Sequence, residues 1–274
     1  MKAITAIGIG GAFVALLLAV VMEGGNPASL LNIPAFIIVV GGTFAATAAS
    51  SSFEQVKTIP ALYAVSFKGL SLDHRSAAKQ MVALAEKARR EGLLALERDI
   101  KDIEDEYTRK GIQLVVDGTD SELVRAILQS EIDGMVQRHH DNAQLFATGG
   151  GFAPTLGILG TVLSLVHVLE NLSNPGELGH SIAGAFLATL YGVGSANLIF
   201  LPVSNKLKQL STEEALYRTM LLEAVLSIQA GDNPRMLAEK LETFIPPGAR
   251  KEEAEEPRKA AKPQAAPEAQ EEAA

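Results

Sequence analysis

The chain has no cysteine among its 274 residues, which excludes disulfides and fits a reducing compartment. Four apolar stretches, roughly 3–22, 33–51, 149–171 and 182–203, are almost empty of charge. Lys and Arg do not occur in them, and Glu170, at the outer end of the third, is their only acidic residue. Each is about 20 residues, or about 30 Å as a helix, enough to cross a bilayer. The same lack bears on chemistry, because carrying protons or sodium through a bilayer usually uses an ionisable group within it. These spans offer His167 near an outer end and no acid at depth, so a conducting path needs an acid from a partner. Signatures of catalysis are missing too. The glycine clusters "GIGIGGAF" and "GGGFAPTLGILG" lack the Lys-Ser/Thr ending of a phosphate loop. No Ser/His/Asp grouping and no close pair of membrane carboxylates is found, so the chain reads as neither an enzyme nor a holder of a metal or cofactor.

What is present is apolar bulk and water-facing charge in alternation. Hydrophobic residues make up 47% and charged residues 20%, and the mean hydropathy is positive, high for a soluble protein. The first span is read as retained, since its apolar run outlasts a secretory core and lacks a small-x-small cleavage site. The short connections 23–32 and 172–181 hold no Lys or Arg, while Lys2, Lys57, Arg138, Lys206 and Lys208 flank the opposite membrane ends. That asymmetry places both termini and the long loop in the cytoplasm. The net charge of −8 points to neither nucleic acid nor a basic lipid anchor.

The polar regions carry helical periodicity. Residues 74–91 put Ala77, Met81, Leu84, Ala85 and Ala88 on one face, at spacings of three and four. A second helix is expected over about 93–109. A capping box of Thr119 and Glu122 opens a third, with no breaker except Gly134 before the membrane, so that one long helix runs into the third span. Ser211 and Glu214 offer another box for an amphipathic helix that Gly231 and Pro234 end. The fold class is therefore all-α: a polytopic membrane protein with four transmembrane helices and a helical cytoplasmic domain. Its expected parts are spans 1 and 2 in 1–52, a cytoplasmic helical domain in 53–147, spans 3 and 4 in 148–205, cytoplasmic helices in 206–245, and a disordered tail in 246–274.

Three local patterns are candidates for function. Pro154, Gly157, Thr161 and Ser164 form one small-residue stripe, and Ala185, Thr189, Gly192 and Ala196 another. Such stripes let helices pack closely or present a face to a partner helix or an ion path. His139 and His140 are neighbours on a helix and point apart, so they do not form a ligand pair. The strip "ARREGLLALERD", residues 88–99, holds three arginines and three acidic residues. Read as one helix, it puts Arg90 and Glu97 on nearly the same face, with Gly92 between them as a breaker.

Taken together, "IPAFIIVVGGTFAAT", "ARREGLLALE", "GFAPTLGILGTVLSLV", "LATLYGVGSANLIFLPVSNKL" and "EAVLSIQAGDNPRMLAEKL" resemble, in motif, order and spacing, the MotA/PomA family of flagellar stator subunits. The resemblance covers about residues 1–245. It implies an inner-membrane homopentamer around a dimer of a single-span MotB/PomB-type subunit, whose membrane aspartate binds the ion and whose periplasmic part grips peptidoglycan. It further implies that the loop drives the rotor protein FliG, with Arg89, Arg90 and Glu97 matching the family's rotor-engaging charges. By the same match, Pro154 and Pro202 are the two motor prolines at the cytoplasmic ends of spans 3 and 4. Thr161 and Thr189, with Gly157 on their stripe, match the ion-path face. Asn32 stands where sodium-type relatives often have Asp, which favours H+ over Na+. The alternative class is an ion-driven energiser of envelope transport in the manner of ExbB and TolQ, whose members have three spans.

Overall fold

The computed structural model describes residues 4–173 and 175–245; the tail expected to be disordered and Lys2 lie outside them. In chain order the helices are α1 (Ile4–Met22), α2 (Ile33–Phe36), α3 (Gly42–Ala49), α4 (Phe53–Lys68), α5 (His74–Glu91), α6 (Glu106–Val116), α7 (Ser121–Glu170), α8 (Pro175–Ser195), α9 (Leu201–Ala230) and α10 (Pro234–Glu242). A π turn, Ile37–Gly41, joins α2 to α3, and another, Ala196–Phe200, joins α8 to α9. No strand occurs among the described residues, so the chain is all-α. Ile4–Met22, Ser121–Glu170 and Leu178–Ala230 are long and apolar enough to cross a membrane; Ile33–Ala49 is apolar but shorter.

The helices begin and end where backbone chemistry dictates. Ser52 and Gln55 close a capping box at the start of α4. Asp73 and Asp105 cap α5 and α6 by accepting the backbone N–H of Ser76 and Thr108, the usual service of a short polar side chain at that position. The helix expected over 93–109 does not form. Gly92, at φ +85°, ends α5 in a conformation that glycine adopts without strain. Short 3-10 turns, Leu93–Arg98 and Ile100–Asp102, then follow until Asp105 starts α6. The cap expected at Thr119 falls on Asp120, whose carboxylate accepts the Glu122 N–H at 3.0 Å, while the Thr119 carbonyl accepts from Gln229. From there α7 runs unbroken to Glu170. Ser211 opens no helix: it is a buried residue inside α9, because no breaker lies between Val203 and Ser211. Gly231, at φ +74°, ends α9 as the sequence predicts, and Pro234 opens α10 behind its cap Asn233.

The described residues form two compact units, 4–71 with 131–215 and 72–130 with 216–245. In the first, Ala143, Phe146, Val203 and Leu207 make a buried cluster against Ile59, Leu62, Tyr63 and Phe200, with the Tyr63 and Phe146 rings edge to face at 5.0 Å. The second closes on Met81, Leu128, Met220, Leu221, Leu237 and Leu241, all buried. Its α5 buries Ala77, Ala78, Met81, Leu84, Ala85 and Ala88, the face expected from the spacing. At the rim of this unit Glu223 accepts from Arg125 at 3.1 Å and from Lys240 at 2.5 Å.

Partial burial raises the Glu223 pKa, but the hydrogen bonds and charges of Lys240 and Arg125 outweigh it and hold the carboxyl below its usual range. A depressed folded pKa means that the stabilisation is present above the unfolded pKa of about 4.3 and is lost as pH falls through the folded value. Solvent screening limits it to about 1 kcal/mol. In thermal melts of the solubilised full chain, the advantage of wild type over Glu223→Gln should therefore shrink as pH falls below about 5. A pH-independent difference would remove the ion pair from the account.

Candidate functional site

Within the first unit, α7 and α8 approach until their backbones nearly touch. A Cβ built on Gly192 would lie 2.6 Å from the Ala153 carbonyl oxygen and 2.9 Å from the Gly157 Cα. One on Gly157 would lie 2.9 Å from the Ala188 carbonyl oxygen. Only glycine fits such a crossing, and small residues around it give the close contact on which helix association within lipid depends. The two stripes thus pack on each other, and of the glycines of "GGGFAPTLGILG" Gly149, Gly150, Gly157 and Gly160 serve close contact, while Gly151 faces open space. Pro154 lies inside α7 without ending it. Its ring leaves the carbonyl four residues back without a donor and crowds it, and Gly150 at that position has no side chain to add to the crowding.

Next to the crossing the stripes bring Thr161 and Thr189 together, their hydroxyl oxygens 2.6 Å apart. Thr161 Oγ1 also lies 3.0 Å from the Gly157 carbonyl and 3.1 Å from the Ala185 carbonyl. Carbonyls only accept, so Thr161 can give its proton to either of them or to Thr189, and either hydroxyl can be the donor of the bond between the two. In both arrangements Thr189 keeps a lone pair as an acceptor, and it is the exposed member of the pair. The arrangement presents one oriented oxygen on a face otherwise made of small apolar residues. Such an oxygen can accept from a partner's donor or touch a dehydrating cation, but it cannot store a proton.

Asn32 and Tyr191 form a contact that sequence reasoning missed. The Asn32 N–H donates to the Tyr191 hydroxyl at 2.9 Å, and that hydroxyl donates to the Leu30 carbonyl. Asn32 Oδ1 caps α2 by accepting the Ala35 N–H at 3.0 Å. The sequence signal was a lone tyrosine in an apolar span, since a buried phenol needs a partner. A carboxylate at this position would cap equally well, but it would bring a charge.

Pro202, in the first turn of α9, borders a groove of about 420 Å³ with Thr5, Gly8, Asn197 and Lys206, away from the threonine pair. His139 faces Glu214 at 3.9 Å while His140 faces Asp141 at 3.6 Å, so the two imidazoles diverge.

In the second unit Arg89 and Arg90 occupy the last turn of α5, where cations suit the helix dipole. Both are exposed, as is Glu97. Because α5 ends at Gly92, Arg90 and Glu97 do not share the helix face that a continuous helix would give. Two anchors fix the turn that carries Glu97: Leu96 is fully buried, and Lys87 bridges to Asp99 at 2.8 Å. Arg90 makes a loose 3.8 Å pair with Glu91. Arg89 and Glu97 have no ion-pair partner among the described residues. The result is a surface of charges on a stiff bend, available to an external partner.

Comparison with known proteins adds a lineage. The pattern of the MotA/TolQ/ExbB proton channel family matches residues 99–220. Motility protein A of Borreliella burgdorferi is 42% identical over 247 residues, which cover 90% of this chain and 95% of that protein. Among solved structures, the C. jejuni MotAB structure is similar with a TM-score of 0.85 at 30% identity, covering 89% of this chain and 95% of that one. The flagellar MotAB stator complex from Bacillus subtilis is similar with a TM-score of 0.82 at 37% identity, covering 90% of this chain and 98% of that one.

Proposed function

From the premise that the chain belongs to the MotA/TolQ/ExbB proton channel family, on its motility protein A branch, we propose that it is a membrane-embedded stator subunit of the bacterial flagellar motor. It works in a multimer with a MotB-type subunit, as the similar MotAB complexes do. The observation that carries the division of labour is chemical. The apolar spans hold no acid at depth, and the oxygen that the threonine pair presents cannot take up a proton. The ion-binding carboxylate therefore comes from the partner, and this chain supplies the wall that Thr161 and Thr189 form beside it, with Gly157, expected on the same face, buried behind them in the α7–α8 crossing.

The finer reading follows the family. Five copies surround a dimer of the single-span subunit in the inner membrane, with four spans per copy and both termini cytoplasmic. Residues 53–147 and 206–245 are the water-facing parts, of which Arg89, Arg90 and Glu97 meet FliG. Pro154 and Pro202 stand where the membrane helices leave for the cytoplasm and couple the two. Protons are the favoured ion, supported by the family and by a neutral Asn32 whose oxygen is already engaged in a cap.

Reconstitution tests this. A bare charge in a bilayer costs about 3 kcal/mol or more, which is about a hundredfold in passage. Liposomes holding the chain alone should neither acidify nor take up sodium beyond empty controls. Adding its MotB-type partner should raise proton flux by about a hundredfold or more. Robust current through the chain alone would refute the division of labour, and flux that follows sodium would reverse the ion assignment.

A further inference from the structure

Two grooves of the first unit run together along α1 and α9. The one that Pro202 borders, about 420 Å³, is lined by Gly8, Ile9, Ala12 and Leu198 among others; the other, about 350 Å³, takes in Phe67, Leu70 and Glu213. Thr5, Lys206 and Gln209 line both, so the space is continuous. Its inner part is mostly apolar, and from Asn197 to Lys206 it follows about 13 Å of helix, against about 15 Å for the hydrocarbon of one leaflet. Its outer part is polar. Lys206 donates to Gln209 Oε1 at 3.3 Å, and Gln209 Nε2 donates to Glu213 at 2.9 Å, so a neutral amide stands between the two charges. Lys206 and Glu213 are half-buried, and neither has an ion-pair partner among the described residues.

From the membrane outward the groove therefore reads apolar, cation, anion. A phospholipid whose head ends in an amine reads acyl chain, phosphate, ammonium, which is the complementary order. We propose that the groove binds one such lipid, its acyl chain beside Gly8, Ala12 and Leu198, its phosphate on Lys206 and its ammonium on Glu213. A lysine at a membrane end lays its stem on apolar surface and its charge at the boundary, and basic pockets between membrane helices take phosphate heads. Small residues of α1 make the room: a Cβ on Gly8 would meet nothing within 4 Å. A second copy fits less well, because a helix is about 10 Å across and too wide for this space, whereas a methylene chain enters it. The seated lipid gives α1, which buries no residue of its own, a surface to rest on next to Pro202. The placement rests on the membrane embedding of the chain and not on its partner or the rotor.

Native mass spectrometry tests this on the full solubilised chain, titrated with phosphatidylethanolamine or with phosphatidylglycerol of the same acyl chains. The amine lipid should be retained at about fivefold lower concentration, the worth of one partly screened ion pair. Glu213→Gln should erase that preference, and Lys206→Gln should weaken retention of both lipids about fivefold. Gly8→Leu fills the groove and should abolish retention of both. Glycerophosphoethanolamine, the head without acyl chains, should not compete. The two glutamine variants keep side-chain length at the boundary, so they carry the test even if Gly8→Leu disturbs α1. Retention indifferent to all of these changes would mean a non-specific lipid shell. Preference for phosphatidylglycerol, or competition by the free head, would mean a different ligand. An oligomer that retains no lipid and that Gly8→Leu breaks apart would make the groove a contact between copies. Each of these results overturns the proposal.

Discussion

Gly192→Ala is expected to lower the melting temperature of the solubilised chain by about 5–10 °C and to abolish motility. The added methyl would sit 2.6 Å from the Ala153 carbonyl oxygen and 2.9 Å from the Gly157 Cα, and both are backbone atoms that no rotamer change can move. Overpacking of this kind costs about 2–3 kcal/mol, and each kcal/mol is about 2–4 °C in a chain of this size. The crossing also sets the distance between Thr161 and Thr189, so a shifted α8 would separate the hydroxyls and disorient the exposed oxygen. Gly194→Ala is the matched control. A Cβ there meets nothing within 4 Å, and alanine is the better helix former by about 1 kcal/mol, so the melt should stay level or rise slightly. If Gly192→Ala and Gly194→Ala melt together, the close crossing is not what holds α7 to α8.

Reversing both arginines of the α5 terminus, Arg89→Glu/Arg90→Glu, should remove torque while membrane insertion, oligomerisation and binding of the MotB-type partner persist. Both side chains point to solvent, and losing their favourable place at the helix end costs about 0.3–1 kcal/mol each, too little to unfold the unit. Against a complementary partner the effect is larger, since like charges brought together cost several kcal/mol. Engagement should therefore weaken by about a hundredfold. Arg89→Gln/Arg90→Gln should fall between, and a compensating reversal on the rotor side should restore part of the swimming. Loss of assembly in the reversed variant would make the arginines structural. Full swimming would make them a solvated surface with no part in drive.

How much of this was legible beforehand differs from element to element. The buried face of α5 followed from spacing alone, because a helix that packs on one side must repeat its apolar residues at three and four. The apolar spans followed from uncharged length. The strip was visible as charge, but its shape was not: Gly92 permits a continued helix at a cost of about 1 kcal/mol, and the burial of Leu96 with the Lys87–Asp99 bridge decided for a bend. Ser211 fitted a capping box, yet local signals of this kind are worth only about 1 kcal/mol, and an uninterrupted ladder overrode it. The stripes of small residues were plain, but a stripe fits either a neighbouring helix of the same chain or a foreign one.

Residue order alone settles the class of molecule, all-helical with apolar stretches free of acid at depth and a charged water-facing remainder, because hydration of charge and hydrophobic period are properties of that order. The packing of distant helices decided that Gly157 and Gly192 meet, that the Thr161 and Thr189 hydroxyls pair, and that Leu30 and Asn32 share the Tyr191 hydroxyl. Those outcomes depend on contacts between residues as much as 161 positions apart, and which distant backbones can approach is set by the fit of whole helices rather than by any local preference.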